Sequence, residues 1–367
     1  MTARPRDAIR VDGLGRCLDV GPARFERFAA EVREQVDDRL VAWLEPRAVL
    51  ARARGAEVSA VAEAVRTLTL RGGKRLRAVL VAAAYLECGG EGGASAVIGA
   101  GVAMELLQTY LLVHDDWMDG DDQRRGGPSV PALLRARSPA HADAASVLAG
   151  DLACAWAQQA LLEVELPAER VLRAAREMAG AHEDVVQGQI LDVCSSPAEL
   201  GQLEVLHALK TASYTVRAPV LMGARLAGAS EPQVAALAAF ASPLGVAFQL
   251  RDDLLGTFGD PKAIGKPVGS DLRKGKRTAL VLEASRDAAA AQAIARVHGA
   301  AESTFEVGGV ELAEAMAAIE ASGARARVEA WIDARVRDAR SALAMAELPA
   351  GAPLLEGAVA ALTQRER

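Results

Sequence analysis

The chain has 367 residues, of which 51% are hydrophobic and 4% aromatic, and it carries a net charge of −6. That length suits one large or two ordinary domains, and the acidic balance excludes a nucleic-acid surface as the organising feature. The four cysteines, Cys17, Cys88, Cys154 and Cys194, form no CxxC pair, which points to reduced thiols in a cytosol and away from a disulfide frame or zinc site.

Residues 1–21 are polar and rich in Gly and Arg, and read as a flexible arm with no secretory pattern. Residues 22–367 read as one domain. From Pro22, Phe25, Phe28, Val32, Val36, Leu40 and Trp43 recur at helical spacing, and Pro46 is expected to perturb or end that helix. A second helix, Val58 to Leu70, closes on Gly72-Gly73. Then comes Gly72-Gly73-Lys74-Arg75-Leu76-Arg77 at the start of an apolar helix. Glycines and basic groups at a helix N-terminus make an anion site, with an ordinary basic helix start as the alternative.

The chain centres on Tyr110-Leu111-Leu112-Val113-His114-Asp115-Asp116-Trp117-Met118-Asp119. An apolar helix, about 94–116, ends here in carboxylates. Asp115 and Asp119 are four apart and share a helix face, where they repel unless a cation lies between them. All the donors are oxygens, which suits Mg²⁺. Gln108, two turns earlier, needs a partner, either a phosphate or a neighbouring helix. Arg124 and Arg125 follow the carboxylates; arginines there either grip phosphate bidentately or neutralise Asp121 and Asp122.

Two further helices, 140–163 and 167–193, lead to Gln187-Gly188-Gln189-Ile190-Leu191-Asp192, where Gln189 and Asp192 fit an outer shell. Lys210-Thr211 interrupts an apolar stretch, with a lysine that either meets an anion or snorkels. Glu204 and His207 make one E-x-x-H, and a di-iron bundle needs two. The helix 235–255 repeats the central design, ending in Gln249, Asp252 and Asp253. Its apolar run, Val234–Leu250, is interrupted by Ser242, Pro243 and Gln249, so no membrane span is expected. A long loop, 256–277, carries Lys266 and Lys276. Residues 279–367 read as three or four Ala-rich packing helices, and no strand-period region is evident.

In this order, GGKRLR (72–77), LLQTYLLVHDDWMD (106–119), RRGGPS (124–129), GQILD (188–192), KTA (210–212), FQLRDD (248–253) and GKRT (275–278) resemble the trans-isoprenyl diphosphate synthases, or polyprenyl synthetases. The resemblance implies an all-α fold, a single large helical bundle around a deep central cavity, in a cytoplasmic homodimer. It implies the head-to-tail (1'-4) condensation of isopentenyl diphosphate with an allylic diphosphate to a short-chain (C15–C20) product. Asp115, Asp119 and Asp252 would hold about three Mg²⁺ on the allylic diphosphate, with Asp116 and Asp253 as outer or bridging members. Lys74, Arg77, Gln108 and Arg125 would hold isopentenyl diphosphate. Arg124, Lys210, Thr211, Gln249, Lys266 and Lys276 would hold the allylic diphosphate. Leu111 and Tyr110, four and five residues before Asp115, would form the floor that limits chain length; on an ideal helix Tyr110 lies well off the Asp115 face. The second motif departs from the family's DDxxD, because Gly256 stands where the last aspartate would be. The rival readings are a class I terpene cyclase and a noncatalytic subunit of a heteromeric synthase.

Overall fold

The computed structural model describes residues 10–11, 17–18, 22–195, 197–259, 269–303 and 309–364. Helices dominate. In chain order they are α1 (Pro22–Arg54), α2 (Ala56–Leu70), α3 (Leu76–Glu87), α4 (Ile98–Asp119), α5 (Val130–Arg137), α6 (Ala142–Leu162) and α7 (Ala168–Cys194). They continue with α8 (Leu200–His207), a π-helical segment (Ala208–Arg217), α9 (Ala218–Ala227), α10 (Glu231–Phe258) and α11 (Ser270–Arg273). Then follow α12 (Ala279–Ala284), α13 (Ala288–Ser303), α14 (Gly309–Ala321), α15 (Ala324–Ala344) and α16 (Pro353–Thr363). The described strands are two-residue antiparallel pairs, β1 (Arg10–Val11) with β2 (Cys17–Leu18), and β3 (Gln123–Arg124) with β4 (Gly127–Pro128).

Two apolar cores organise the bundle. One is built from α1–α7, α9, the first half of α10 and the C-terminal helix, around residues such as Leu40, Tyr85, Leu106 and Phe240. The other gathers the end of α10 with α11–α15, around Leu250, Leu280, Ile319 and Ile332. Helix α10 therefore spans both, and its acidic end lies where the second core begins. Burying each large aliphatic side chain stabilises the fold by roughly 1.5–3 kcal/mol, which outweighs the weak amphipathicity of so Ala-rich a chain.

Several sequence expectations are corrected. Helix α1 continues through Pro46 to Arg54. The next residue makes contacts both within the helix and to the end of α6. Arg47 donates to Trp43 O at 3.0 Å, stacks 3.1 Å from the Trp43 ring, and pairs with Glu163 at 2.9 Å. Pro243 lies inside α10, in keeping with the expected helix 235–255. Among the described residues after 278 there are five helices, because Asp287 and Gly323 start new ones where composition alone shows a continuous Ala-rich run. Two segments, Ala94–Asp119 and Glu231–Phe258, are long and apolar enough to cross a membrane by length and composition. Their apolar windows are 72% and 56% buried inside the fold, the packing of core helices. Of the expected N-terminal arm, only the β1–β2 pair is among the described residues.

Candidate active site

Helix α4 delivers the first acidic group and stops at once, because Gly120 takes a left-handed conformation, φ 67°. Asp115 is half-buried and Asp119 exposed, while Asp116, one residue round the helix, is fully buried. Burial pushes Asp116 up to about 6 despite Arg124, whose Nε donates to Asp116 Oδ1 at 2.6 Å. Asp119 is also raised, first by burial and then by the Asp115 charge, with Lys276 and Lys210 opposing.

Arg124 belongs to the β3–β4 hairpin, whose turn residues Arg125 (φ 51°) and Gly126 (φ 71°) are both left-handed. Arg71 fixes this hairpin by donating to Arg124 O at 2.9 Å and Pro128 O at 2.6 Å. The hairpin tip brings Arg125 to the glycine loop, where a Cβ on Gly73 would lie 3.7 Å from its guanidinium. Burial lowers Arg125; the Glu105 carboxylate opposes this, and the nearby charges of Arg75, Arg77 and Arg124 add to the lowering. Such crowding of cations is stabilised by an anion. Arg75 is committed elsewhere: it bonds the buried Glu105 at 2.9 Å, Thr69 O at 2.9 Å and, nearer the surface, Asp37 at 2.8 Å.

The amide of Gln108 finds its partner in a neighbouring helix. Arg77 donates to Gln108 Oε1 at 2.6 Å and to Thr215 Oγ1 at 2.7 Å, and lies 4.4 Å above the Tyr214 ring. Lys210 and Thr211 come from the π-helical segment. That segment sits tightly between α7 and α10 because both present glycine. A Cβ on Gly188 would collide with the Lys210 backbone, and one on Gly245 with Ala212. Lys210 Nζ consequently bridges Asp115 Oδ1 at 3.3 Å and Asp192 Oδ2 at 2.5 Å. Burial opposes its charge, but the two carboxylates outweigh that and raise its pKa.

The two acidic helix ends face one cavity of about 740 Å³, lined by Asp115 and Asp119 on one side and Gln249, Asp252 and Asp253 on the other. Lys74, Asp192, Lys210, Thr211 and Lys276 also line it. Gln108, Arg77, Arg124 and Arg125 do not. Lys266 lies outside the described residues. A second cavity, about 350 Å³, shares Asp115, Lys210 and Thr211 with the first and runs between α4, α7 and the π-helical segment. Its other walls are mostly apolar and include Tyr110, Leu111, Met118, Val185 and Ile190, with Gln189 at its edge. Tyr110 and Leu111 thus line the same pocket despite their different helix faces. The Tyr110 hydroxyl lies 2.9 Å from His182 Nε2, and its ring packs edge-on against His114 and His182.

The donor set fits a hard divalent cation. Its ligands are oxygens, Asp116 Oδ2 and Asp253 Oδ2 are buried without a hydrogen bond, and a lysine fills in between Asp115 and Asp192. Among the described residues no three His, Cys, Asp or Glu side chains are close enough to hold a metal by themselves. Mg²⁺ characteristically takes one or two carboxylates and completes its shell with phosphate and water.

Sequence reasoning missed Arg71, His182 and Tyr214. None belongs to a motif, and each acquires its role from a partner distant along the chain.

Comparison with known proteins agrees with this geometry. The chain is 35% identical over 220 residues to the short chain isoprenyl diphosphate synthase of Methanocaldococcus jannaschii, a match covering 59% of this chain and 64% of that protein. It is 34% identical over 340 residues to the geranylgeranyl diphosphate synthase of Mycobacterium tuberculosis, covering 89% of each. Its fold superposes on the crystal structure of geranylgeranyl pyrophosphate synthase from Corynebacterium glutamicum, complexed with isoprenyl diphosphate and magnesium. The TM-score is 0.81 at 30% identity, over 92% of this chain and 99% of that one. The polyprenyl synthetase family model matches residues 58–309. With acidic helix ends facing one cavity, and these matches over most of its length, the chain belongs to the polyprenyl synthetase family.

Proposed function

We propose that this chain is a prenyltransferase that condenses isopentenyl diphosphate head-to-tail with an allylic diphosphate, giving a short-chain (C15–C20) prenyl diphosphate. The observation that carries the reading is the shared cavity, in which Asp115 and Asp119 of α4 meet Asp252 of α10 beside Lys210 and Lys276. Asp115, Asp119 and Asp252 would hold about three Mg²⁺ with the allylic diphosphate. When bound, the ions stabilise negative charge on the leaving diphosphate.

The chain's own residues do the rest. Lys210, Thr211, Gln249 and Lys276 orient the allylic diphosphate, with Lys266 completing the set. Asp192 and Asp115 hold Lys210 charged. Arg124 restrains Asp116, and Gln249 restrains Asp253, donating at 2.8 Å. Lys74, Arg77, Gln108 and Arg125 hold isopentenyl diphosphate so that its double bond meets the allylic C1 as the C1–O bond breaks. A proton then leaves the new chain for the released diphosphate. The apolar pocket beneath Asp115 excludes water from the allylic cation and receives the growing chain. Tyr110, anchored by His182, and Leu111 form its floor.

We further propose a cytoplasmic homodimer. A second copy would cover exposed apolar side chains of α6 and α7, namely Leu148, Leu162, Leu172, Val186, Ile190 and Val193, all at least 41% exposed.

The test is incubation of the purified chain with Mg²⁺ and dimethylallyl, geranyl or farnesyl diphosphate, with and without isopentenyl diphosphate. Elongated prenyl diphosphate formed only with both substrates is the expected result. Hydrocarbon from the allylic substrate alone would mark a cyclase, and no product at all a noncatalytic subunit; either overturns the reading.

A further inference from the structure

The β3–β4 hairpin carries Arg124 and Arg125 but has little of its own to hold it in shape. Each strand has two residues, a length that is marginal in water without outside support. Pro128 in β4 has no N–H to donate to the ladder. The turn also holds Arg125 in the left-handed region, φ 51°, which is unfavourable for a residue with a Cβ.

The support comes from α2. Arg71, the residue after that helix, extends its guanidinium under the hairpin. Its Nη1 donates to Arg124 O at 2.9 Å and to Pro128 O at 2.6 Å, one carbonyl on each strand. Its backbone N–H bonds Thr67 O at 3.2 Å and Leu68 O at 3.3 Å, which fixes the arginine to the last turn of α2. Gly127, paired with Arg124 across the hairpin, makes the room: a Cβ there would lie 2.9 Å from Arg71 Cζ.

The two hairpin arginines depend on this brace unequally. Arg124 is held by its own side chain, through Nε to Asp116 Oδ1 at 2.6 Å. Among the described residues no hydrogen bond or ion pair holds Arg125, so its guanidinium stays beside Gly73 only while the hairpin is kept there. The like charges of Arg75, Arg77 and Arg124 oppose that placement. On the other side of the gap, Arg77 is already pinned by Gln108 and Thr215. The brace therefore decides whether Arg125 faces the same anion as Arg77.

We propose that Arg71 is a positioning residue for isopentenyl diphosphate: it ties the hairpin to α2 so that Arg125 completes the cationic group begun by Lys74 and Arg77. This role rests on the prenyl-transfer reading above. Both acceptors of Arg71 are neutral carbonyls, so the hairpin is braced without a carboxylate that would repel the diphosphate.

The experiment measures kcat and KM for each substrate in the full chain with Mg²⁺, with thermal melting as a check on folding. Arg71→Met, which removes the donors, is expected to raise KM for isopentenyl diphosphate by about 10–100-fold, the scale of one charge-assisted hydrogen bond lost. KM for the allylic diphosphate and kcat should stay close to wild type, because Asp116 still holds Arg124. Arg71→Lys, whose ammonium can donate to both carbonyls, is expected to restore most of the affinity. Gly127→Ala should raise the same KM with Arg71 still present, by displacing its guanidinium, and should add nothing in the Arg71→Met background. An unchanged KM for isopentenyl diphosphate in Arg71→Met overturns the proposal. So does an equal rise for both substrates, a lysine variant no better than Arg71→Met, or additive losses in the double variant. A wild-type chain that forms no elongated product overturns the prenyl-transfer reading itself and this role with it, so the two failures are told apart.

Discussion

Lys210 Nζ stands 3.3 Å from Asp115 Oδ1, a contact made across the cavity from the π-helical segment to the end of α4. A lysine so placed serves two states. Without a cation it offsets the repulsion among Asp115, Asp119 and Asp192. With a diphosphate bound, its charge is available to the phosphate oxygens. Replacing Lys210 with Ala should lower kcat/KM for the allylic substrate by about 100-fold, the scale for losing one donor to developing negative charge. Steady-state kinetics with the allylic diphosphate varied checks this; a change below about threefold would mean that Lys210 serves only packing.

At the other end of the apolar pocket, the Tyr110 ring is 8% exposed and tied to His182. Tyr110→Ala should open the pocket and shift the products toward longer chains, read by chromatography of the dephosphorylated alcohols. His182→Ala should shift them the same way but less, because the ring keeps its place and loses only its anchor. An unchanged distribution in Tyr110→Ala refutes the floor assignment.

Arg75 and Glu105 form a salt bridge with side chains 1% and 2% exposed. Arg75 also takes a left-handed conformation, φ 48°, to reach it. Breaking such a pair strands a buried charge, so Glu105→Leu should destabilise the chain by about 3–5 kcal/mol. Arg75→Met/Glu105→Leu should recover much of that, measured by urea unfolding. A double variant no more stable than Glu105→Leu would show that Arg75 acts mainly through Asp37 and Thr69.

Glu87 is buried, and its two oxygens accept the backbone N–H groups of Leu354 and Leu355 at the start of α16. Burial pushes it up to about 7, although those bonds oppose the shift. The folded chain therefore binds more protons than the unfolded chain between the ordinary value of 4.5 and about 7. Its contribution is fully present below the lower value, and stability falls as pH rises through that window, by at most about 3 kcal/mol. Glu87→Gln should flatten the difference in unfolding free energy between pH 5 and pH 7.5. An identical pH dependence in the variant would contradict the assignment.

Much of the site was legible because its chemistry repeats with helical period. Asp115 and Asp119, and the apolar run before Asp252, announce two helix ends from local spacing alone. What escaped the sequence depends on distant partners. Nothing near Pro46 reveals that α1 runs on past it and that Arg47 meets Glu163. His182 and Tyr110 meet from helices far apart in sequence, as do Arg77 and Thr215. The departure at Gly256 is visible, but that the Asp271 carboxylate lies against it follows only from the packing of α11 on α10. The π-helical segment is equally silent, since Gly188 and Gly245 show their purpose only when the three helices are seen together.

The most direct test of the central claim is prenyl diphosphate formation by the purified chain, measured for the wild type, Asp115→Ala and Asp252→Ala with Mg²⁺, and for the wild type with excess chelator. The account predicts elongated product from the wild type with Mg²⁺, none with chelator, and a loss of at least about 100-fold in each variant with the helical fold intact. Near-wild-type turnover in either variant, or turnover that survives chelation, would contradict it.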